Sequence, residues 1–250
     1  MKVDDFYNDF YSKALESRSH AKFCTEVYGL NLCQHGMADI GQIDLMIQAA
    51  GIGKNSHVLD LGCGPGLITE YIQKKTGCSI LGIDISVRAI AYADRNIDKA
   101  NGRIQFATGD MTALSLEENQ FDAVLLIDTH YFIDDFLKYI PAFLKYLTPD
   151  GKLVIFSDQG KGITAYDEKD TQPEETIIGE FLGKNGLKYS GIGLFDENQR
   201  HWKLKKAVLD GMKKEFEDEG NAALHESRLK ECTDTDRTLD GRYLFLIDKA

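Results

Sequence analysis

The stretch "VLDLGCGPGLITE", Val58–Glu70, alternates three glycines, Gly62, Gly64 and Gly66, directly after an apolar run that ends near Asp60. Glycine there frees the backbone to take positive φ and lets a ligand press against the main chain. About twenty residues on, "LGIDIS" ends a second apolar run with Asp84, a place where a carboxylate can accept two hydrogen bonds from a sugar diol. A third run closes in "TGDM" with Asp110 and Met111. A Gly-rich turn alone can be a tight strand-to-helix connection and nothing else. Three acids in order at the ends of successive runs are hard to ascribe to turn chemistry.

The candidates for proton transfer lie in "IDTHYFID", where Asp128, His130 and Tyr131 follow a fourth apolar run. Histidine titrates near neutrality and suits a general base, although a loop histidine that only packs is an equal reading of His130. His35 in "LCQHGMAD" reads as structural, and His57 as a surface residue. His201 and Trp202 fall in a long amphipathic stretch, where a lone indole is more often core than substrate contact. Phe6, Tyr7, Phe10 and Tyr11 recur at three- and four-residue intervals, giving one aromatic helix face. Phe6 and Phe10 read as docking residues, Tyr7 and Tyr11 as candidates to close over a bound ligand. No histidine or cysteine spacing calls for a metal.

These residues need a scaffold, and the pattern supplies one. "SHVLDLG", "CSILGID", "RIQFATGD", "FDAVLLID" and "GKLVIFSD" are short runs rich in Val, Ile and Leu that read as buried strands. Helical spacing separates them, and "DDFLKYIPAFLKYLTPDG" reads as a helix kinked or broken at Pro141. Alternation of this kind predicts a parallel sheet covered on both faces. "SGIGLF" and "GRYLFLID" read as two further strands around a long charged helical segment. One domain is expected, with a helical cap over 1–50, a binding core over 51–160 and a substrate-side segment over 161–250.

Net charge is −11, which repels phosphate backbones and counts against nucleic acid or anionic membrane partners. Five cysteines form no C-x-x-C pair, as expected of free thiols in the cytoplasm. The start lacks the pattern of a signal peptide, and no run reaches membrane-spanning length.

The acids also bear on which nucleotide would bind. The spacing is G-x-G-x-G, not the dinucleotide G-x-G-x-x-G, and a carboxylate at Asp60 disfavours a pyrophosphate. A nucleoside with an ammonium tail fits better, and S-adenosylmethionine is such a ligand. "VLDLGCGPG", "LGIDIS", "FATGDM", "FDAVLLID" and "FLKYLTPDGKLVIFSD" together resemble the successive motifs of class I S-adenosylmethionine-dependent methyltransferases, in the branch of the ubiquinone/menaquinone enzymes. The resemblance covers about Ser56 to Asp158. It implies an α/β fold with a seven-stranded, mostly parallel Rossmann-like sheet whose last strand is antiparallel. It implies Asp60, Gly62, Cys63, Gly64 and Gly66 at the methionine part, Asp84 at the ribose, and Ile85, Asp110 and Met111 at the adenine. Asp128 and Tyr11 would adjoin the cofactor. The expected activity is methyl transfer to a small-molecule acceptor by a monomer or homodimer, with S-adenosyl-L-homocysteine as product. Methylation of protein or RNA, a non-catalytic cofactor-binding protein and a nicotinamide-dependent oxidoreductase are the competing readings.

Overall fold

The computed structural model describes residues 3–158, 171–233 and 241–249. The expected substrate-side segment therefore falls partly outside the described residues. Helices α1 (Val3–Ala14), α2 (Arg18–Tyr28) and α3 (Ile40–Ala50) precede the first strand. The core then runs β1 (His57–Leu61), α4 (Leu67–Thr76), β2 (Ser79–Asp84), α5 (Val87–Asn96), β3 (Ile104–Thr108), β4 (Phe121–Ile127), α6 (Ile140–Lys145) and β5 (Leu147–Ser157). After it come α7 (Ile177–Lys184), β6 (Tyr189–Gly193), α8 (Phe195–Asp218), α9 (Ala222–Thr233) and β7 (Tyr243–Asp248).

The seven strands form one sheet in the order β3-β2-β1-β4-β5-β7-β6. β1 to β5 pair in parallel, and β7 inserts antiparallel between β5 and β6. The parallel part is the sheet expected from the alternating apolar runs, and antiparallel β7 is what the resemblance implied. The strand order reverses at β1, which pairs with both β2 and β4, so the crevice beyond its carboxyl end is where such sheets bind ligands. Val58 and Leu125 face one apolar layer while Leu59 and Leu126 face the other, so each central strand is buried on both sides.

One expectation holds and one shifts. The helix read over "DDFLKYIPAFLKYLTPDG" as kinked or broken at Pro141 does break, into a short 3-10 turn at Phe136–Tyr139 and the six-residue α6, with Pro141 in its first turn. Proline is tolerated only where the missing N–H has no helical partner, so a new helix starts there. Leu147, read on that helix's face, instead opens β5, pairs with Phe121 and is fully buried.

A third apolar cluster joins α1 and α2 to the insert between β6 and β7. Phe10, Phe23, Val27 and Tyr28 pack against Leu209, Met212, Phe216 and Leu224. Glu219 accepts hydrogen bonds from the Ser17 hydroxyl and the Arg18 and Ser19 N–H groups at the start of α2. Cap and insert thus form one layer above the carboxyl edge of the sheet.

Candidate active site

β1 ends where Gly62 turns to φ +79°, and α4 begins after Gly66 at φ +77°. Between them Gly64, at φ +55°, lies so close to Tyr11 that a Cβ would come within 2.5 Å of its hydroxyl. At Gly62 a Cβ would overlap the Thr129 side chain. Both bare positions are therefore required by the protein's own side chains as well as by backbone conformation. The loop's donors are engaged internally. The Gly62 and Cys63 N–H groups donate to the Ile83 carbonyl at 2.7 and 3.2 Å, Gly64 N–H to Asp84 Oδ2 at 2.8 Å, and Gly66 N–H to the Cys63 carbonyl at 3.1 Å. Pro65 has no N–H, so residues 62–66 offer no donor to a pyrophosphate.

Asp84 ends β2 beside this loop. Its Oδ1 accepts from the Ser86 N–H at 2.8 Å and its Oδ2 from Gly64, which orients both oxygens while each keeps a lone pair. Burial raises its pKa, against the lowering effect of the two backbone donors. Asp84 lines a cavity of about 720 Å³ together with Gly62, Cys63, Gly64, Ile85, Met111, Asp128 and Tyr11. Gln34 also lines it, and its buried Oε1 has no donor among the described residues.

Several expected contacts fall elsewhere. Asp60 is buried behind the loop, where its carboxyl accepts the Thr69 hydroxyl at 2.6 Å and burial pushes its pKa to about 6. It does not line the cavity, and neither does Gly66. Asp110 is exposed and accepts from the Thr112 N–H and hydroxyl, while its neighbour Met111 reaches the cavity.

Asp128, at the end of β4, is saturated. Arg242 bridges both of its oxygens at 2.7 and 3.1 Å, and Oδ2 also accepts the Met37 and Ala38 N–H groups at 2.7 and 3.0 Å. The guanidinium holds its pKa below the usual carboxylate range, so Asp128 is an ionised anchor for the 36–38 loop and not a base in this arrangement. Arg242, fully buried at the start of β7, also reaches Asp158 at 2.9 Å and Gln42 at 2.6 Å. Tyr131 donates its hydroxyl to Asp158 and accepts the Asp158 N–H. His130 is 5 % exposed and packs on Tyr131 and Phe136. Its Nδ1 has no partner among the described residues, and burial lowers its pKa to about 4. It lines neither cavity described here.

A second cavity, about 750 Å³, adjoins the first and shares His35, Gly36, Asp128 and Phe132 with it. Met37, Tyr131, Asp158, Trp202 and Glu231 complete its wall. Behind Glu231 stand two fully buried cations: Lys205 at 2.6 Å and Arg228 at 3.0 Å. The sequence reading of a long charged helical segment did not set Lys205 apart, and it passed over Arg228, Glu231 and Arg242. A signal for Lys205 existed: His201, Lys205, Leu209, Met212 and Phe216 repeat at helical spacing, and all are buried. Its neighbours do take the solvated role, with Lys206–Asp210 and Lys214–Asp218 paired one turn apart on the surface. Among the described residues no cluster of ligating side chains could hold a metal.

Sheet order, antiparallel β7 and a crevice at the β1 reversal define a class I S-adenosylmethionine-dependent methyltransferase fold. More particularly, residues 58–151 match the family described as a methyltransferase domain. The chain is 29 % identical over 182 residues to a sterol 24-C-methyltransferase of Kluyveromyces lactis, covering 69 % of this chain and 46 % of that protein. It is 27 % identical over 184 residues to phosphoethanolamine N-methyltransferase 1 of Arabidopsis thaliana, covering 68 % and 36 %. The matched part is thus less than half the length of either relative. Among solved structures, phosphoethanolamine N-methyltransferase 2 of Haemonchus contortus superposes with a TM-score of 0.73 at 16 % identity, over 97 % of this chain and 60 % of that one.

Proposed function

We propose that the protein binds S-adenosylmethionine in the first cavity and transfers its methyl group to a small molecule held in the second. The observation that carries this reading is the Gly62–Gly66 loop beside Asp84. The loop has no N–H left for a phosphate, and it faces a carboxylate whose two oxygens are fixed by backbone donors. A nucleoside lacking phosphate suits that pair, whereas a nicotinamide dinucleotide does not.

The residues present fit the cofactor. Asp84 would hold the ribose hydroxyls, and Ile85 and Met111 supply apolar contact for a purine. The orphaned Gln34 Oε1 is a ready acceptor for an ammonium or an amino group. Tyr11 would cover the loop from above, and α1 is held in that position by Asn8, whose side chain accepts the Ser86 hydroxyl at 2.7 Å. The bound cofactor would supply an electrophilic methyl on a sulfonium. The chain's own work is alignment of the acceptor and exclusion of water. Asp128 serves that alignment at a distance, by fixing the 36–38 loop that separates the two cavities. Asp60, behind the loop, would act on the methionine part only through the loop's position.

The relatives act on a sterol and on phosphoethanolamine, which supports a small acceptor here, as does the net charge of −11 against a nucleic acid. The five free cysteines support the cytoplasm as the compartment. Among the described residues no helix is long and apolar enough to cross a membrane. Incubation with methyl-labelled cofactor and a cell extract separated by size tests the reading. Label among metabolites is the expected result. Label in protein or RNA would overturn the acceptor class, and no binding of S-adenosylhomocysteine by calorimetry would overturn the cofactor.

A further inference from the structure

His35 stands where the two cavities meet and lines both. Its Nε2 lies 3.3 Å from Glu231 Oε1. An ionised carboxylate only accepts, so the imidazole proton sits on Nε2 and Nδ1 keeps its lone pair. The nearest partner of Nδ1 is the Tyr7 hydroxyl, at a long 3.5 Å. The ring is boxed edge-on by Phe6, Tyr7 and Phe10 at centroid distances of 5.0–5.5 Å. Its backbone is fixed too, because Arg228 donates to the His35 carbonyl at 3.0 Å and Asp128 holds the next residues. A histidine steered by a carboxylate, its other nitrogen carrying only the long Tyr7 contact, is the arrangement of a general base.

The second cavity supplies the other half of the argument. Among the described residues three carboxylates, Asp128, Asp158 and Glu231, line it, and no lysine or arginine does. The cations that compensate them, Arg242, Lys205 and Arg228, are all fully buried behind the wall. Phe132, Tyr131 and Trp202 add aromatic surface of the kind that attracts ammonium groups. The Trp202 indole N–H, itself buried, has no acceptor among the described residues, and an oxygen on the same ligand would satisfy it.

We propose that the acceptor is a small-molecule amine and that His35, oriented by Glu231, removes its proton during methyl transfer. This rests on the methyltransferase reading above. The acceptor nitrogen's lone pair forms the new N–C bond. The C–S bond breaks with its electron pair going to sulfur, and the N–H proton passes to His35 Nδ1 before leaving through the open cavity. Glu231 is the positioning residue: it fixes the tautomer and balances the imidazolium that forms. Burial of the ring keeps the imidazole neutral and ready to accept, with Glu231 opposing that effect and Arg228 and Lys205 reinforcing it. The titratable groups that face it are Glu231 and Arg228 on α9, Lys205 on α8, Tyr7 on α1 and His20 on α2. Burial also lowers an ammonium's proton affinity, which brings the two partners closer.

The test takes the full chain through two arms. Calorimetry with S-adenosylhomocysteine on wild type and His35→Gln comes first. Equal affinity in both leaves the cofactor reading intact and isolates the base, whereas no binding to wild type overturns the cofactor reading itself. Labelled methyl is then offered to ethanolamine, tyramine, catechol and benzoate as probes. The expected result is label on an amine, with kcat lowered about a hundredfold in His35→Gln and KM little changed. Transfer only to catechol or benzoate, or to none of the four while cofactor binds, overturns the amine assignment. A kcat within threefold of wild type overturns the base. NMR of nitrogen-labelled histidine gives a readout without turnover. His35 should be neutral with its proton on Nε2 at pH 7, and its pKa should fall in Glu231→Gln. The opposite tautomer would sink the proposal even if the Glu231 variant fails to fold.

Discussion

Asp84 and Asp128 occupy equivalent places, each at the carboxyl end of a strand beside β1, yet their surroundings differ. Asp84 has one backbone N–H on each oxygen and, among the described residues, no cation, and it borders the crevice with lone pairs to spare. Asp128 has a buried guanidinium across both oxygens and two backbone donors besides. The first is a carboxylate with acceptor capacity left over at the crevice. The second is a structural pin that joins β4, β7 and the loop from the cap. A carboxylate at a strand tip therefore announces a ligand only when its partners leave it unfinished, and burial alone does not separate the two cases, since both are 8 % exposed.

The strongest way to break this contrast is Arg242→Met. Removing the cation strands Asp128 and Asp158 in a buried site, and breaking a buried pair from one side costs about 3–5 kcal/mol. Denaturant unfolding should show a loss of that size, with Asp128→Asn in the same chain recovering part of it. A loss under 1 kcal/mol would mean that Asp128 is not held as a pin.

His130 sharpens the same side of the comparison. Its folded pKa of about 4 lies below the ordinary 6.5, so the folded state refuses a proton that the unfolded chain accepts. Its stability contribution is therefore complete above about pH 6.5 and drains away as pH falls toward 4, by about 3 kcal/mol in all. Unfolding curves of His130→Gln should lose less between pH 7 and pH 4 than those of wild type. Parallel curves would place His130 in water or on a partner. "IDTHYFID" follows a strand tip, which made His130 a candidate base; the short 3-10 turn at His130–Phe132 packs the imidazole against Phe136, with Nδ1 unpaired among the described residues.

On the other side, Asp84→Ala should leave folding intact and weaken S-adenosylhomocysteine binding about thirtyfold, near 2 kcal/mol, since two charge-assisted hydrogen bonds would be lost. Unchanged affinity would put the ribose elsewhere.

What could be read in the sequence follows the same division. The glycine loop, Asp84 and the sheet are written in short stretches, where one turn joins one strand to one helix and the spacing itself carries the meaning. The pinning network is written across the chain. Arg242 and Asp128 are 114 residues apart, Arg228 and Tyr28 200 apart. His35 looked structural because its carboxylate partner is on α9, which no local pattern relates to "LCQHGMAD". Asp60 and Asp110 show the converse, since each lies near a strand end beside the right motif, yet neither lines the cavity. The sequence cannot tell that Asp60 points behind the loop to Thr69, or that Asp110 turns outward to Thr112.

Asp110 supplies the finest test. Its carboxylate closes a local turn with the Thr112 N–H at 2.8 Å and hydroxyl at 2.7 Å, on an exposed stretch, while Met111 alone of the pair reaches the cavity. An exposed hydrogen bond of this kind contributes about 0.5–1 kcal/mol to the turn and carries little to a ligand it does not face. Asp110→Ser keeps a short acceptor for the Thr112 N–H, so S-adenosylhomocysteine affinity should change by less than about twofold, under 0.5 kcal/mol. Met111→Ala removes the side chain that does line the cavity and should weaken binding more than Asp110→Ser. If the order is reversed, the carboxylate swings inward when the cofactor binds. Being unfinished would then no longer separate a ligand-binding acid from a structural one before the ligand arrives.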